Sequence, residues 1–299
     1  MEKILISGAS GWLGNSTLKY LEKRYKLEKL KENLQVVSTS NKNLDSFPSI
    51  TTKTYEQLIK EDSKYDGFIH LASLTKDKSL IMNKNEYIGE YLKITSNAVK
   101  LLQKTKKWFI FISSGAIWEE PNQTLEKSIE KNPYGFLKRL EENLFSEICN
   151  NSDITYVCGR LWGGAGFDLR EPEKYAIGSL ILNAIKNQNL QINSGHKVYR
   201  RYVDTSLFME LCIKMAQKGI TKTFDSGGEI VEIQDIAEII KLKFPKLQII
   251  RTNKANQKND EYYSRNKEFE ELLKDFDLQH PTISELIEQS ITTISDCKK

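Results

Sequence analysis

Short apolar runs alternate along the first half of the chain with longer segments in which apolar positions recur every three or four residues. Residues 3–7 read as a short buried strand, followed by a glycine-punctuated turn and a helix reaching about Arg24 with Leu18 and Leu21 facing inward. Residues 34–39 predict a second strand, and residues 65–72 another, its apolar content carried by Phe68, Ile69 and Leu71. Residues 86–104 predict a long helix with an inward stripe that includes Leu92, Ala98, Leu101 and Leu102. A strand over 108–113, a helix over 132–149 with Leu137, Leu140, Leu144 and Ile148 as its core face, and a strand over 154–161 complete this half.

Strands separated by helices of this length call for parallel β-α-β units, because parallel neighbours need a crossover and the crossover helices cover both sheet faces. The expected fold class is α/β, a Rossmann-type doubly wound parallel sheet over residues 1–160, with segments near 200–228 returning to it. The rhythm changes after Leu161. A glycine-rich turn (Gly163, Gly164, Gly166), a polar loop, a helix near 177–186 and a short strand over 190–192 predict a smaller cap over 161–299. Thr282 and Glu285 form a T-x-x-E capping box ahead of a last helix.

Composition narrows the function classes. The 299 residues are 39% apolar and 28% charged, a globular balance with ample material for a core. The net charge of +4 is too small and too dispersed to argue nucleic acid or a membrane surface, and suits a small anionic ligand. The longest strongly apolar run, residues 108–112, falls far short of the roughly 18 residues of a membrane span, and the N-terminus runs straight into a strand without a secretory signal. Cys149, Cys158, Cys212 and Cys297 are scattered, and only three histidines accompany them, which argues against a disulfide framework or a metal site and fits a reducing cytoplasm.

The first candidate chemistry is the turn Gly8-Ala9-Ser10-Gly11-Trp12-Leu13-Gly14, which follows the first strand and opens the first helix. Small residues let backbone approach a pyrophosphate, and the free N–H groups at a helix start favour its charge. At the end of the second strand NAD usually meets an acidic side chain on its ribose, whereas a 2′-phosphate excludes acid. Here the segment reads Ser38-Thr39-Ser40-Asn41-Lys42, so NADP(H) is the expected cofactor, with Ser40 and Lys42 as candidate phosphate contacts, Asn41 beside them at the cofactor, and NAD(H) as the alternative.

A second cluster begins at Asn132-Pro133-Tyr134-Gly135-Phe136-Leu137-Lys138, with Asn as N-cap and Pro at the first helical position. Tyr134 and Lys138 stand at i and i+4 and share a helical face, so the ammonium favours the phenolate and fits the tyrosine for proton exchange with a sugar or alcohol oxygen. Upstream, the strand ending in Ser113-Ser114-Gly115-Ala116-Ile117-Trp118 puts hydroxyls at the carboxyl edge of the sheet, where Ser114 can hold the reacting oxygen.

With these motifs the chain resembles the extended short-chain dehydrogenase/reductase family of sugar-nucleotide epimerases, dehydratases and ketoreductases. The resemblance also includes His70-Leu71-Ala72-Ser73, Arg200-Arg201-Tyr202-Val203-Asp204 and Phe224-Asp225-Ser226-Gly227-Gly228. It implies that Leu71, Ala72 and Ser73 lie along the cofactor and that Ser114, Tyr134 and Lys138 are the catalytic triad. It further implies a nucleotide-diphosphate sugar substrate met by Ser73, Ser114, Trp118, Tyr134 and Gly163, a diphosphate clamp at Arg200 or Arg201, and a homodimer formed through the two long helices. The family's dehydratases carry an acidic pair after the catalytic hydroxyl residue, and Gly115 and Ala116 stand there instead. Trp118-Glu119 replaces the usual Tyr-Gly. The expected activity is therefore NADP(H)-dependent reduction of a nucleotide-linked 4-keto (deoxy)sugar in surface-polysaccharide assembly. The alternatives are an NAD-dependent sugar-nucleotide 4-epimerase and a non-catalytic dinucleotide sensor.

Overall fold

The computed structural model describes residues 1–39, 44, 46–119, 124–166, 169, 171–252 and 258–296. The chain forms two compact units, one from Met1–Leu161 with Met209–Phe224 and the other from Trp162–Phe208 with Asp225–Lys299.

The first unit holds a seven-stranded sheet. Its strands are β1 (Ile4–Ser7), β2 (Leu34–Ser38), β3 (Thr52–Thr54), β4 (Tyr65–His70), β5 (Thr105–Ser114), β6 (Thr155–Leu161) and β7 (Lys222–Asp225), in spatial order β7-β6-β5-β4-β1-β2-β3. The pairings from β3 across to β6 are parallel. Every residue of β1 is buried, as a central strand covered on both faces must be. The order reverses between β1 and β4, where Ser7 pairs with His70, so the ends of these two strands open the crevice in which such sheets bind ligands.

Three helices matter for the site: α1 (Trp12–Arg24), α2 (Lys84–Leu102) and α3 (Pro133–Asn150). The aromatic side chains Phe68, Phe109, Phe111, Phe145 and Tyr156 pack with Leu101 and Leu102 into the core between sheet and helices. Three leucines read as core prove to face outward, while Ala98, Leu101 and Leu102 on α2 and Leu137 on α3 are buried as expected. Leu92 on α2 is 42% exposed, and Leu140 and Leu144 on α3 are 38% and 37% exposed. The buried face of α3 carries Leu137, Lys138, Glu141, Glu142, Phe145 and Cys149 instead. Carboxylates occupy it because Tyr91, Thr95 and Arg160 supply their hydrogen bonds.

In the second unit, the strand Val198–Asp204 pairs antiparallel with Glu229–Glu232 and parallel with Asp260–Tyr262, and Gly164–Ala165 joins it at Val203 and Asp204. Its last helix, Ile283–Asp296, starts at the capping box: Glu285 accepts from the Thr282 backbone N–H at 2.7 Å, and the Glu285 N–H donates to the Thr282 hydroxyl at 3.3 Å. Among the described residues, no helix is long and apolar enough to cross a membrane.

Candidate active site

The glycine turn joins β1 to α1 at the point where the strand order reverses. Gly8 takes a left-handed φ of +75°, and a Cβ there would stand 2.5 Å from the backbone nitrogen of Ala72. The phosphate turn therefore packs directly on Leu71 and Ala72, the residues that leave β4. A Cβ on Gly14 would meet the Gly8 carbonyl at 2.3 Å, so the first turn of α1 folds against the loop only without a side chain. Gly11 is the N-cap of α1, and the Gly11 N–H donates to the Gly8 carbonyl at 3.1 Å. No side chain caps α1 and no acid lies in its first turn among the described residues, so the N–H groups near Trp12, Leu13 and Gly14 suit an anion. Gly8, Ser10, Gly11, Trp12, Leu13, Gly14, Leu71, Ala72 and Ser73 thus gather at one edge and fit a dinucleotide pyrophosphate. Ser40, Asn41 and Lys42, on which the NADP(H) expectation rested, lie outside the described residues, as does Cys297.

Beneath this edge, the Ser7 hydroxyl and His70 Nδ1 share a 2.6 Å hydrogen bond, and the other ring nitrogen has no partner among the described residues. The ring is fully buried among Phe109, Phe111 and Phe145. Burial, with Lys138's charge adding to it, holds its imidazole down to about 3.

Ser114 ends β5 and is buried, and its hydroxyl accepts the Ala116 N–H at 3.2 Å, capping a short turn over Gly115–Ile117. That turn is tied to α3 by one residue. Asn132 caps α3 by accepting the Gly135 N–H at 2.9 Å, and its amide nitrogen donates to the Ala116 carbonyl at 3.0 Å. A Cβ on Gly135 would stand 1.9 Å from that same carbonyl. The Ser114 turn and the helix that presents Tyr134 are thereby locked together, a link that the cap motif alone did not disclose.

Tyr134 is half-buried against Tyr87, Tyr91 and Leu137. Lys138 is almost wholly buried; its ammonium donates to the Ile112 carbonyl at 3.0 Å and sits 4.5 Å from the Phe111 ring centroid. Glu141, which sequence reasoning passed over, lies 3.5 Å from the same ammonium. Trp118 is covered by the Arg160 guanidinium at 5.3 Å, and Arg160 in turn is gripped by both oxygens of Glu142.

In the second unit, Gly163 allows close approach, since a Cβ there would stand 2.7 Å from the Arg201 carbonyl. The two arginines are differently engaged. Arg201 is buried and donates to the carbonyls of Gly228, Ser264 and Asn266 and to Glu270, so its fork serves its own unit. Arg200 forms a two-pronged pair with Asp260 at 3.1 and 2.7 Å at a partly exposed position.

The reversal point, the glycine turn and the Ser-Tyr-Lys set beside it define a Rossmann-type extended short-chain dehydrogenase/reductase. More narrowly, the chain belongs to the NAD dependent epimerase/dehydratase family, whose pattern matches residues 4–227. The UDP-glucose 4-epimerase of Halalkalibacterium halodurans is 26% identical over 182 residues, 55% of this chain and 52% of that protein, so the chain spans about half the length of that curated relative. Among solved structures, UDP-N-acetylglucosamine 4-epimerase from Methanobrevibacter ruminantium M1, in complex with UDP-N-acetylmuramic acid, superposes with a TM-score of 0.76 at 15% identity over 99% of both chains. MoeE5 in complex with UDP-glucose and NAD superposes with a TM-score of 0.74 at 14% identity over 99% of this chain and all of that one. At these identities the two structures establish a shared fold.

Proposed function

We propose that the chain is an NAD-dependent 4-epimerase of a nucleotide-diphosphate sugar. The observation that carries this reading is the buried Ser114 and Lys138 with the half-buried Tyr134, together with an uncapped phosphate turn and with Gly115 and Ala116 where a dehydratase needs acids. The reductase first expected loses ground to its alternative on the relatives: the curated one is a 4-epimerase, and a structural neighbour carries NAD. NADP(H) preference draws no support from them.

NAD, held at the Gly8, Gly11 and Gly14 turn against Leu71 and Ala72, would supply a reversible hydride acceptor for C4 of the sugar. Tyr134, as phenolate, accepts the 4-hydroxyl proton and gives it back in the return step. Lys138 favours that phenolate by charge, and Ser114 orients the oxygen through its hydroxyl while its own cap bond fixes its rotamer. Arg200 is the arginine assigned to the diphosphate, exchanging the Asp260 carboxylate for phosphate oxygens. Trp118, stiffened by Arg160, forms the wall met by the sugar.

The test is to incubate purified protein with UDP-sugars, without added reductant, and follow H4 by proton NMR while mass spectrometry identifies the bound dinucleotide. Interconversion of the C4 epimers with NAD carried by the protein is expected. Stoichiometric oxidation of NADPH by a 4-keto sugar nucleotide, with no epimer formed, would return the reading to the reductase.

A further inference from the structure

Glu141 stands one turn beyond Lys138 on α3, and its side chain is 1% exposed. One carboxylate oxygen accepts the Tyr91 hydroxyl at 2.6 Å, the other accepts the Thr95 hydroxyl at 2.7 Å, and Lys138 Nζ lies 3.5 Å away. Tyr91 is buried as well, 1% exposed. A run of buried polar side chains therefore leads from Tyr91 and Thr95 on α2 through Glu141 to Lys138 on α3.

The charges decide what this run does. The titratable groups facing the Lys138 ammonium are His70 on β4, Cys158 on β6, Tyr91 on α2 and Glu141 on α3, with Tyr134 one turn before it on the same helix. Burial holds His70 neutral and pushes the Cys158 thiol and the Tyr91 phenol well above their ordinary ranges, so both stay protonated. The neighbouring Glu142 gives its charge to Arg160. Until Tyr134 loses its proton, Glu141 is the counter-charge of Lys138 among these groups. An ammonium this deeply buried without a partner surrenders its proton, whereas a hydrogen-bonded carboxylate beside it keeps it charged.

We propose that Glu141 is a positioning residue for proton transfer: by holding Lys138 charged and fixed on the helical face it shares with Tyr134, it maintains the field that favours the phenolate. The proposal rests on the reading of Tyr134 and Lys138 as the acid–base pair of an epimerase. Neutralising Glu141 should lower kcat with little change in KM, and move the basic limb of the pH profile to lower pH. A purely structural role would leave that limb in place.

The decisive experiment reads Lys138 directly. Full-length protein carrying ¹³Cε-labelled lysine, with NAD present, is titrated by NMR, the Lys138 resonance being assigned by its disappearance in Lys138→Met. In Glu141→Gln, which retains partners for Tyr91 and Thr95, the Lys138 midpoint should fall by about one pH unit or more, a tenfold change in proton affinity. In Glu141→Asp, which keeps the charge but retracts it, the midpoint should fall by less. An unchanged midpoint in folded Glu141→Gln overturns the proposal; if that variant does not fold, an unchanged midpoint in Glu141→Asp overturns it. Failure of the wild-type protein to turn over any nucleotide sugar would contradict the epimerase reading instead, and the titration would still report on Glu141.

Discussion

His70 carries no charge in the folded chain, and this has a measurable cost in acid. Its folded value is held down to about 3 by burial, helped by the Lys138 charge, whereas an unfolded imidazole titrates near about 6.5. Between these values the unfolded chain binds a proton that the native chain refuses. The stability due to neutral His70 is therefore fully present above about pH 6.5 and is lost as pH falls toward 3, at up to about 1.4 kcal/mol per unit. Denaturant melts at pH 7.5 and pH 5 should show this loss in the wild type and much less of it in His70→Gln; parallel losses in both would contradict the assignment. Tyr134 makes a different prediction. It is half-buried and holds no structural hydrogen bond among those described, so Tyr134→Phe should keep the melting temperature and lose on the order of 10² to 10⁴ in kcat. Arg200→Ala should raise KM more than it lowers kcat, since its assigned contact is to a group remote from C4.

The helix α3 shows where sequence was legible and where it was not. Its start was readable from Asn132 and Pro133 because capping is local chemistry, settled within four residues. Tyr134 and Lys138 were readable for the same reason: their shared face follows from helical spacing. The faces of the helix were misread in part. Leu137, Leu140, Leu144 and Ile148 form an apolar row that a spacing argument turns inward; Leu137 is buried and Ile148 packs on the core, yet Leu140 and Leu144 are exposed and the buried face continues through Glu141 and Glu142. The hydroxyls and guanidinium that satisfy those carboxylates come from Tyr91, Thr95 and Arg160, far away in the chain, and only the sheet topology brings them near. Asn132 likewise does more than its motif declares, because its amide nitrogen also holds the Ala116 carbonyl. Asn132→Ala should therefore cost about 1 kcal/mol as a lost cap. It should also lower kcat, by loosening the Ser114 turn from Tyr134, whereas Asn132→Asp should retain the cap and lose the Ala116 contact. A kcat for Asn132→Asp equal to wild type would show that the link does not serve catalysis.

The alternation of strands and helices sufficed to expect a doubly wound sheet, because parallel pairing leaves few other arrangements, and the strand order bears this out. The exposed leucines bear on the homodimer that the family resemblance implies. Leu92 on α2 and Leu140 and Leu144 on α3 expose apolar surface on the two helices through which the family resemblance implies pairing. We propose that they meet a second copy, and Leu140→Glu with Leu144→Glu should then sediment as a monomer where the wild type sediments as a dimer. A wild-type monomer at micromolar concentration would contradict this.

In the proposed 4-epimerase, the hydrogen at C4 leaves and returns within one active site. Supplying a UDP-sugar deuterated at C4 and examining the product by NMR and mass spectrometry tests it most directly. A C4 epimer that keeps its deuterium at C4, with no net consumption of dinucleotide, is expected. Deuterium lost to solvent, or replaced by hydrogen from added NADPH, would contradict it.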